Sequence, residues 1–251
     1  MHDMGFFLLM KKLLWIFDLD NTLHDASHGI YPAITANMNA FLAEVLGQGG
    51  KPTDAATVNA VRLDYWRRYG ATLLGMIKHH NIRMEAFLHA AHQFDDLRTL
   101  IRAERGVQHF LKRLPGRKIL LTNAPRRYSR DIVRHLGLHR HFARHLPIES
   151  MHVHRSLRPK PSRLLLRKLL AREKVHPRHA VLIEDTVKTL KAAKSLGMRT
   201  VWVTQYLGGN PLDTAQSVSF AQLPHINRPA YVDVKVKSVR QLATYLGRLR
   251  S

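Results

Sequence analysis

Five short runs of apolar and β-branched residues punctuate the chain: LLWIF (13–17), KILLT (118–122), AVLIE (180–184), TVWV (200–203) and YVDVKV (231–236). The first four are continuous, as in strands buried on both faces. The last alternates, as in an edge strand. Between the central runs the spacing changes to that of helices. SRDIVRHLGL (129–138) closes on Gly137, PSRLLLRKLLAREK (161–174) opens on Pro-Ser, and TVKTLKAAKSLG (186–197) closes on Gly197. A last helix is expected in SVRQLATYLGRL (238–249), after a loop-rich stretch from 205 to 230. Strands alternating with helices predict an α/β fold with a doubly wound parallel sheet.

One interval breaks this rhythm. About a hundred residues separate LLWIF from KILLT, where a strand–helix–strand unit needs only ~30. The excess has helical spacing. In PAITANMNAFLAEVLG (32–47), Pro32 stands at the start, Gly47 at the end, and Ile34, Met38, Phe41, Leu42 and Val45 fall on one face. TDAATVNAVRLDYWRRYG (53–70) and RMEAFLHAAHQF (83–94) read the same way. The expected organisation is a helical domain over 25–105, inserted after the first strand and lying over its end. The sheet-based core is assigned to 1–24 plus 106–251.

Composition narrows the chemistry. The 251 residues are 45% hydrophobic and include no cysteine, which excludes disulfides, thiolate catalysis and thiolate metal sites. No apolar run approaches the ~18 residues of a membrane span. The opening MHDMGFFLLMKK has its apolar residues before its lysines, the reverse of a signal peptide. The expectation is a soluble, cytoplasmic protein with no membrane partner. Forty Lys and Arg stand against 18 Asp and Glu, and residues 98–178 alone hold 22 basic residues and 4 acids. Such a field attracts anions, either nucleic acid or a small phosphate ester, and an arginine-rich solvated surface accounts for it equally well.

The candidate chemistry lies where the predicted strands end. In a parallel sheet the carboxyl ends of the strands share one edge, and ligands bind there. The first strand brings Asp18 and Asp20 to that edge, the second Thr122 and Asn123, the third Glu184 and Asp185. Lys160 precedes a helix in RPKPS. Taken alone, each has a plain structural reading: a loop pair, a turn, a surface lysine, a helix N-cap. Taken together, four acids at close range would take up protons unless a cation neutralises them. An all-oxygen donor set without thiolates suits Mg²⁺ completed by a substrate phosphate. Thr122 and Lys160 can hold the remaining phosphate oxygens, and a carboxylate the metal does not consume can attack phosphorus to give an aspartyl-phosphate. A calcium EF-hand does not fit, because Leu23 and Gly29 occupy the positions that require Gly and Glu.

The motifs FDLDNTL, LTNA, RPKP and IEDT, in this order and spacing, resemble those of the haloacid dehalogenase-like hydrolase superfamily over nearly the whole chain. The insertion resembles the helical cap of its first cap class. YWRRYGATLLGM, LLTNAPRRYSRDIVRHLGL and EDTVKTLKAAKSLGMRTVWV resemble the pyrimidine 5′-nucleotidase branch. The resemblance implies a Rossmann-like core, Asp18 as nucleophile, and Asp20 as general acid and then base. It implies Mg²⁺ held by Asp18, the Asp20 backbone carbonyl and Asp185, with Glu184 beside them. The phosphoryl group would lie against Thr122, Lys160 and the backbone amides near Leu19 and Asn123. The sequence departs from the pattern at Thr189, where relatives often carry Asp or Asn.

The implied function is a Mg²⁺-dependent phosphatase for a small phosphorylated substrate, with a nucleoside 5′-monophosphate expected. Tyr65, Trp66 and Tyr69 are candidates for stacking on a base, with Met76 and His79 as weaker ones, although their helical spacing suits a helical core better. A sugar-phosphate or phosphoglycolate phosphatase and a phosphomutase are the enzymatic alternatives. A 2-haloacid dehalogenase is disfavoured, because its relatives lack an acid at the position of Asp20. From another class, the basic stretch raises a nucleic-acid-binding protein on a phosphatase-like scaffold, against which the retention of all four motifs argues. Oligomeric state is left open.

Overall fold

The computed structural model describes residues 13–207 and 228–249. The reading of the first twelve residues, and most of the 205–230 loop, lie outside the described residues. The described chain divides into two compact units: a core of residues 13–25, 102–207 and 228–249, and a helical unit of residues 26–101.

The core is built on six parallel strands: β1 (Leu14–Phe17), β2 (Arg117–Leu121), β3 (Arg144–Leu146), β6 (Ala180–Glu184), β7 (Arg199–Val203) and β8 (Val234–Val236), in the order β3-β2-β1-β6-β7-β8. Every residue of β1, β6 and β7 is buried, as their unbroken apolar runs require. A small antiparallel pair, β4 (His152–Val153) and β5 (Ser156–Leu157), lies apart from this sheet.

The chain winds outward from β1 to β2 and β3, then returns to lay β6 on the other side of β1. That reversal puts a topological switch point between β1 and β6, where open parallel sheets form their ligand crevice. The register is tight there: Phe17 is paired with Ile183, and the Asp18 amide donates to the Ile183 carbonyl at 3.0 Å. The doubly wound sheet predicted from the strand–helix alternation is therefore observed, with a helical insertion after its first strand.

Three details differ from the pattern-based expectation. β3 was not anticipated; its sequence is Arg-His-Leu and its residues are exposed to half-buried, so it carries no apolar run to read. YVDVKV shortens to three residues at the opposite edge. There the Asp233 carboxylate accepts from the Thr200 amide at 2.9 Å and from Lys194 Nζ at 2.5 Å. The final segment is not one helix: 3₁₀ turns at Val239–Gln241 and Leu246–Leu249 flank a single α-turn, Leu242–Tyr245.

Three helices of the core matter for the site: α7 (Arg126–His135), α8 (Arg163–Glu173) and α9 (Val187–Lys194). Ser162 caps α8 by accepting from the Leu165 amide at 3.2 Å, as the Pro-Ser signal predicted. Leu165, Leu166, Leu169 and Leu170 of α8 pack with Ile16 and Ile119 of the sheet in one core cluster.

The helical unit contains α1 (Ile30–Leu46), α2 (Ala55–Tyr69), α3 (Thr72–His80) and α4 (Met84–Ala91), followed by a short α5 (Leu97–Leu100). Ile30, Ile34, Met38 and Leu42 form the buried stripe of α1. Phe41 meets Phe87 of α4 edge to face at 5.7 Å. The helix α3 was not predicted separately, because Gly70 turns the chain only two residues before it begins. Gly70 adopts φ 80°, the left-handed conformation that glycine reaches without steric cost.

Gly75 lets α2 and α3 approach, since a Cβ there would stand 2.2 Å from Cγ of Tyr65. Gly75→Ala is expected to destabilise the protein by about 1–3 kcal/mol, the usual range for overpacking. An unchanged melting temperature would show that this contact is slack.

Candidate active site

The segment after β1 reaches the sheet edge and curls back on itself. Asn21 takes φ 58°, a left-handed conformation that asparagine tolerates better than most residues. The Leu19 carbonyl accepts from the amides of Thr22 and Leu23. This turn separates the two aspartates of DLD. Asp18 continues the line of β1 and is buried. Asp20 faces a different set of partners, with His24 four residues on brought beside it.

Asp18 is the centre of a buried ionic group. Lys160 Nζ donates to Asp18 Oδ1 at 2.5 Å and to Glu184 Oε2 at 2.7 Å, and all three side chains are at least nine-tenths buried. Lys160 is thus not a surface lysine, although most lysines and arginines around it are exposed. Its loop is held by Asn123, whose carboxamide both donates to the Lys160 carbonyl at 3.0 Å and accepts from the Lys160 amide at 2.9 Å. The expectation for Asn123 involved its backbone amide; its side chain instead ties the end of β2 to the lysine loop. Thr122 is fully buried and its hydroxyl accepts from the Ala124 amide at 3.1 Å.

Glu184 and Asp185 end β6. They do not form a helix N-cap: Thr186 holds that position in α9, and its amide donates to Glu184 Oε1 at 3.2 Å. One carboxylate oxygen each from Asp18, Glu184 and Asp185 lies within 4.8 Å of the others. Three carboxylates against one ammonium leave a formal surplus of two negative charges in a buried pocket. That surplus, and the all-oxygen donor set, fit a hard divalent cation such as Mg²⁺.

The electrostatics agree. Burial, with Glu184 beside it, holds the Asp18 carboxyl well above the usual carboxylate range, and Lys160 only partly offsets this. Burial raises Glu184 to about 7 and Asp185 to about 6. Burial alone would lower the Lys160 ammonium, but Asp18 and Glu184 outweigh it and hold the group above its ordinary value. Without further positive charge this cluster favours protons, and a divalent cation is the natural substitute for them.

The Asp20 carboxylate is not part of the three-carboxylate cluster. Its Oδ1 accepts from the Tyr128 hydroxyl at 2.6 Å and lies 2.8 Å from His24 Nε2. Neither Tyr128 nor His24 was singled out from the sequence. His24 had a weak signal, because it follows Asp20 by four residues. Tyr128 had one only in hindsight, as the aromatic residue in an arginine-rich helix start. Thr189, where the motif departs from its relatives, is buried on α9, and its amide donates to the Thr186 carbonyl.

The aromatic candidates of the helical unit divide. Met76 is fully buried and belongs to that unit's core. Tyr65 stacks on His79 with centroids 5.4 Å apart, and Tyr65 Oη and Tyr69 Oη lie 2.7 and 2.6 Å from Nε2 of His80 and His79. Lys78 Nζ sits 5.1 Å from the centre of the Tyr69 ring. Tyr65, Trp66 and Tyr69 are all half-buried.

Solved structures with the same fold span almost the whole chain. A HAD phosphatase from Thermococcus onnurineus is 16% identical, covering 95% of this chain and 100% of its own, with a TM-score of 0.61. A 2-haloacid dehalogenase from Pseudomonas syringae pv. tomato DC3000 is 22% identical over 94% and 98%, with a TM-score of 0.55. The HAD-hydrolase YfnB from Bacillus subtilis, solved bound to magnesium, is 14% identical over 94% and 98%, with a TM-score of 0.53. At these identities the likeness establishes the fold and not the reaction. The family is established separately, by a match of residues 14–197 to the haloacid dehalogenase-like hydrolase model. That stretch runs from β1 past both acidic strand ends and the lysine between them, and this chain belongs to the haloacid dehalogenase-like hydrolases.

Proposed function

We propose that the protein is a Mg²⁺-dependent phosphatase that hydrolyses a small phosphate monoester through an aspartyl-phosphate on Asp18. The observation that carries this reading is the buried group of Asp18, Lys160, Glu184 and Asp185 at the switch point of the sheet. Asp18, Glu184, Asp185 and the backbone carbonyl of Asp20 would hold the cation, which when bound supplies charge neutralisation for the phosphoryl group and its nucleophile. The residues of the chain divide the remaining work. Asp18 attacks phosphorus in line with the departing oxygen. Lys160 holds the nucleophile in place and balances phosphoryl charge. Thr122 and the amides near Leu19 and Asn123 orient the phosphoryl oxygens. Asp20 gives a proton to the leaving oxygen and later takes one from the attacking water. Most of the rate gain in such chemistry comes from positioning and fixed charge.

A nucleoside 5′-monophosphate, with a pyrimidine base, is the substrate we favour. Support comes from the sequence resemblance, with half-buried aromatic side chains present in the helical unit. The helical unit acts in this reading as a cap that selects the substrate and excludes water. The dehalogenase reading is disfavoured by Asp20, since a halide leaves without a proton. The basic residues exposed on α7 and α8, among them Arg127, Arg130, Arg134, Arg167 and Arg172, steer anionic substrates. A nucleic-acid-binding role would instead require affinity that falls steeply with salt.

Phosphate release should be measured with Mg²⁺ over nucleotides, sugar phosphates and phosphoglycolate. Pyrimidine 5′-monophosphates are expected to be turned over fastest, and EDTA to stop the reaction until Mg²⁺ is restored. Asp18→Asn should lower turnover by roughly 10³-fold or more while the protein stays folded. Strong DNA binding without orthophosphate release from any monoester would displace the enzymatic reading.

The raised carboxyls make a second prediction, read by thermal denaturation. Each has a folded pKa above its unfolded value, so its contribution to metal-free stability is full below about pH 4. That contribution is lost as the pH rises through about 6 for Asp185 and about 7 for Glu184. A cation binds the deprotonated cluster, so the rise in melting temperature caused by Mg²⁺ should grow between about pH 5 and pH 8. At ~100 times the dissociation constant the gain is about 2.7 kcal/mol, or roughly 5–10 °C for a chain of this size. A Mg²⁺ effect that is larger at acid pH, or that survives Asp185→Asn undiminished, would remove the cation from this cluster.

A further inference from the structure

The two aspartates of DLD are treated differently by the fold. Asp18 is paired with an ammonium, whereas Asp20 meets a tyrosine hydroxyl and a histidine ring. The Tyr128 hydroxyl donates to Asp20 Oδ1 at 2.6 Å, and His24 Nε2 lies 2.8 Å from the same oxygen. Tyr128 is 3% exposed and His24 0%, so both bonds are sheltered from water. His24 Nδ1 is buried and has no hydrogen-bond partner among the described residues. A proton there would be a buried donor left unsatisfied. The hydrogen bond to Asp20 is thus made by Nε2, while Nδ1 faces no acceptor.

We propose that Tyr128 and His24 are positioning residues that fix the Asp20 carboxyl for proton transfer to the leaving group, an inference that rests on the acid–base role given to Asp20 above. A proton on Oδ1 would compete with the two groups that meet that oxygen, so the transferable proton is assigned to Oδ2. The two groups come from separate elements, the turn after β1 and the first turn of α7 after β2. Together they hold the carboxyl plane against rotation, which a single bond would not. In the first displacement the Asp18–phosphorus bond forms, the bond from phosphorus to the leaving oxygen breaks, and the Oδ2 proton moves to that oxygen to give the alcohol. In the second, water attacks phosphorus and returns a proton to Oδ2. The bond from phosphorus to Asp18 then breaks, and orthophosphate leaves. The packing of α7 would be met equally by phenylalanine, so the Tyr128 hydroxyl serves the carboxylate and not the core.

Leaving-group dependence tests this. A nucleoside 5′-monophosphate loses an alkoxide and needs the acid, whereas p-nitrophenyl phosphate loses a stabilised phenolate and needs it far less. In the full chain with Mg²⁺, Tyr128→Phe is expected to lower kcat on the nucleotide roughly 10- to 100-fold, within the range of general acid catalysis. The change on p-nitrophenyl phosphate should stay below about 3-fold on the same grounds. His24→Gln, which keeps a donor near the position of Nε2, should retain most of the nucleotide rate, and His24→Met should lose it. Activity on p-nitrophenyl phosphate reports in each case that the variant is folded. Equal losses on both substrates, or none on either, would overturn the positioning role. Absence of any leaving-group bias in Asp20→Asn would instead overturn the acid–base reading beneath it.

Discussion

An ammonium buried between two carboxylates is the constraint to which the core of this protein answers. Removing Lys160, Asp18 and Glu184 from water costs several kcal/mol per ion, and their attraction offsets this only when the geometry is close. Contacts of 2.5 and 2.7 Å meet that condition, but they demand that three distant segments arrive in register. β1 and β6 must be neighbours, which the reversal of winding direction provides. The loop before α8 must hold its lysine inward, which the Asn123 carboxamide secures from the end of β2. The parallel sheet is in this sense a frame for one charged contact.

The same contact leaves the group unbalanced. One ammonium does not neutralise three carboxylates, and burial pushes Glu184 and Asp185 up toward neutral pH. A folded protein with a buried charge deficit at the ligand edge of its sheet is prepared for cations and for the anions that cations attract. The broader distribution of charge works in the same direction, with basic residues covering the outward faces of α7 and α8. In the proposed function, a negative centre within a positive surface would attract phosphate esters and offer a divalent ion a site to receive them.

Separating the two aspartates is the other consequence of the local backbone. They are two residues apart, yet the left-handed Asn21 turns the chain between Asp20 and His24, so the carboxylates enter different environments. One environment is built around an ammonium and the other around a tyrosine hydroxyl and an imidazole. Placing like groups in unlike surroundings is the physical means by which two carboxylates take different roles in one reaction.

Much of this was legible in the residue order. Continuous apolar runs marked β1, β2, β6 and β7, because strands covered on both faces are built mostly of apolar residues. The hundred-residue gap after β1 marked the helical insertion, and the acidic strand ends marked the carboxylate cluster. Other features were decided in three dimensions. β3 pairs with β2 although its Arg-His-Leu sequence has no strand pattern, because an edge strand is held by backbone bonds and not by burial. Lys160 lies in a stretch crowded with exposed lysine and arginine, and only its distance to Asp18 and Glu184 distinguishes it. Tyr128 meets Asp20 across 108 positions of sequence. A contact between segments so far apart is a property of chain winding and register, and no local spacing records it.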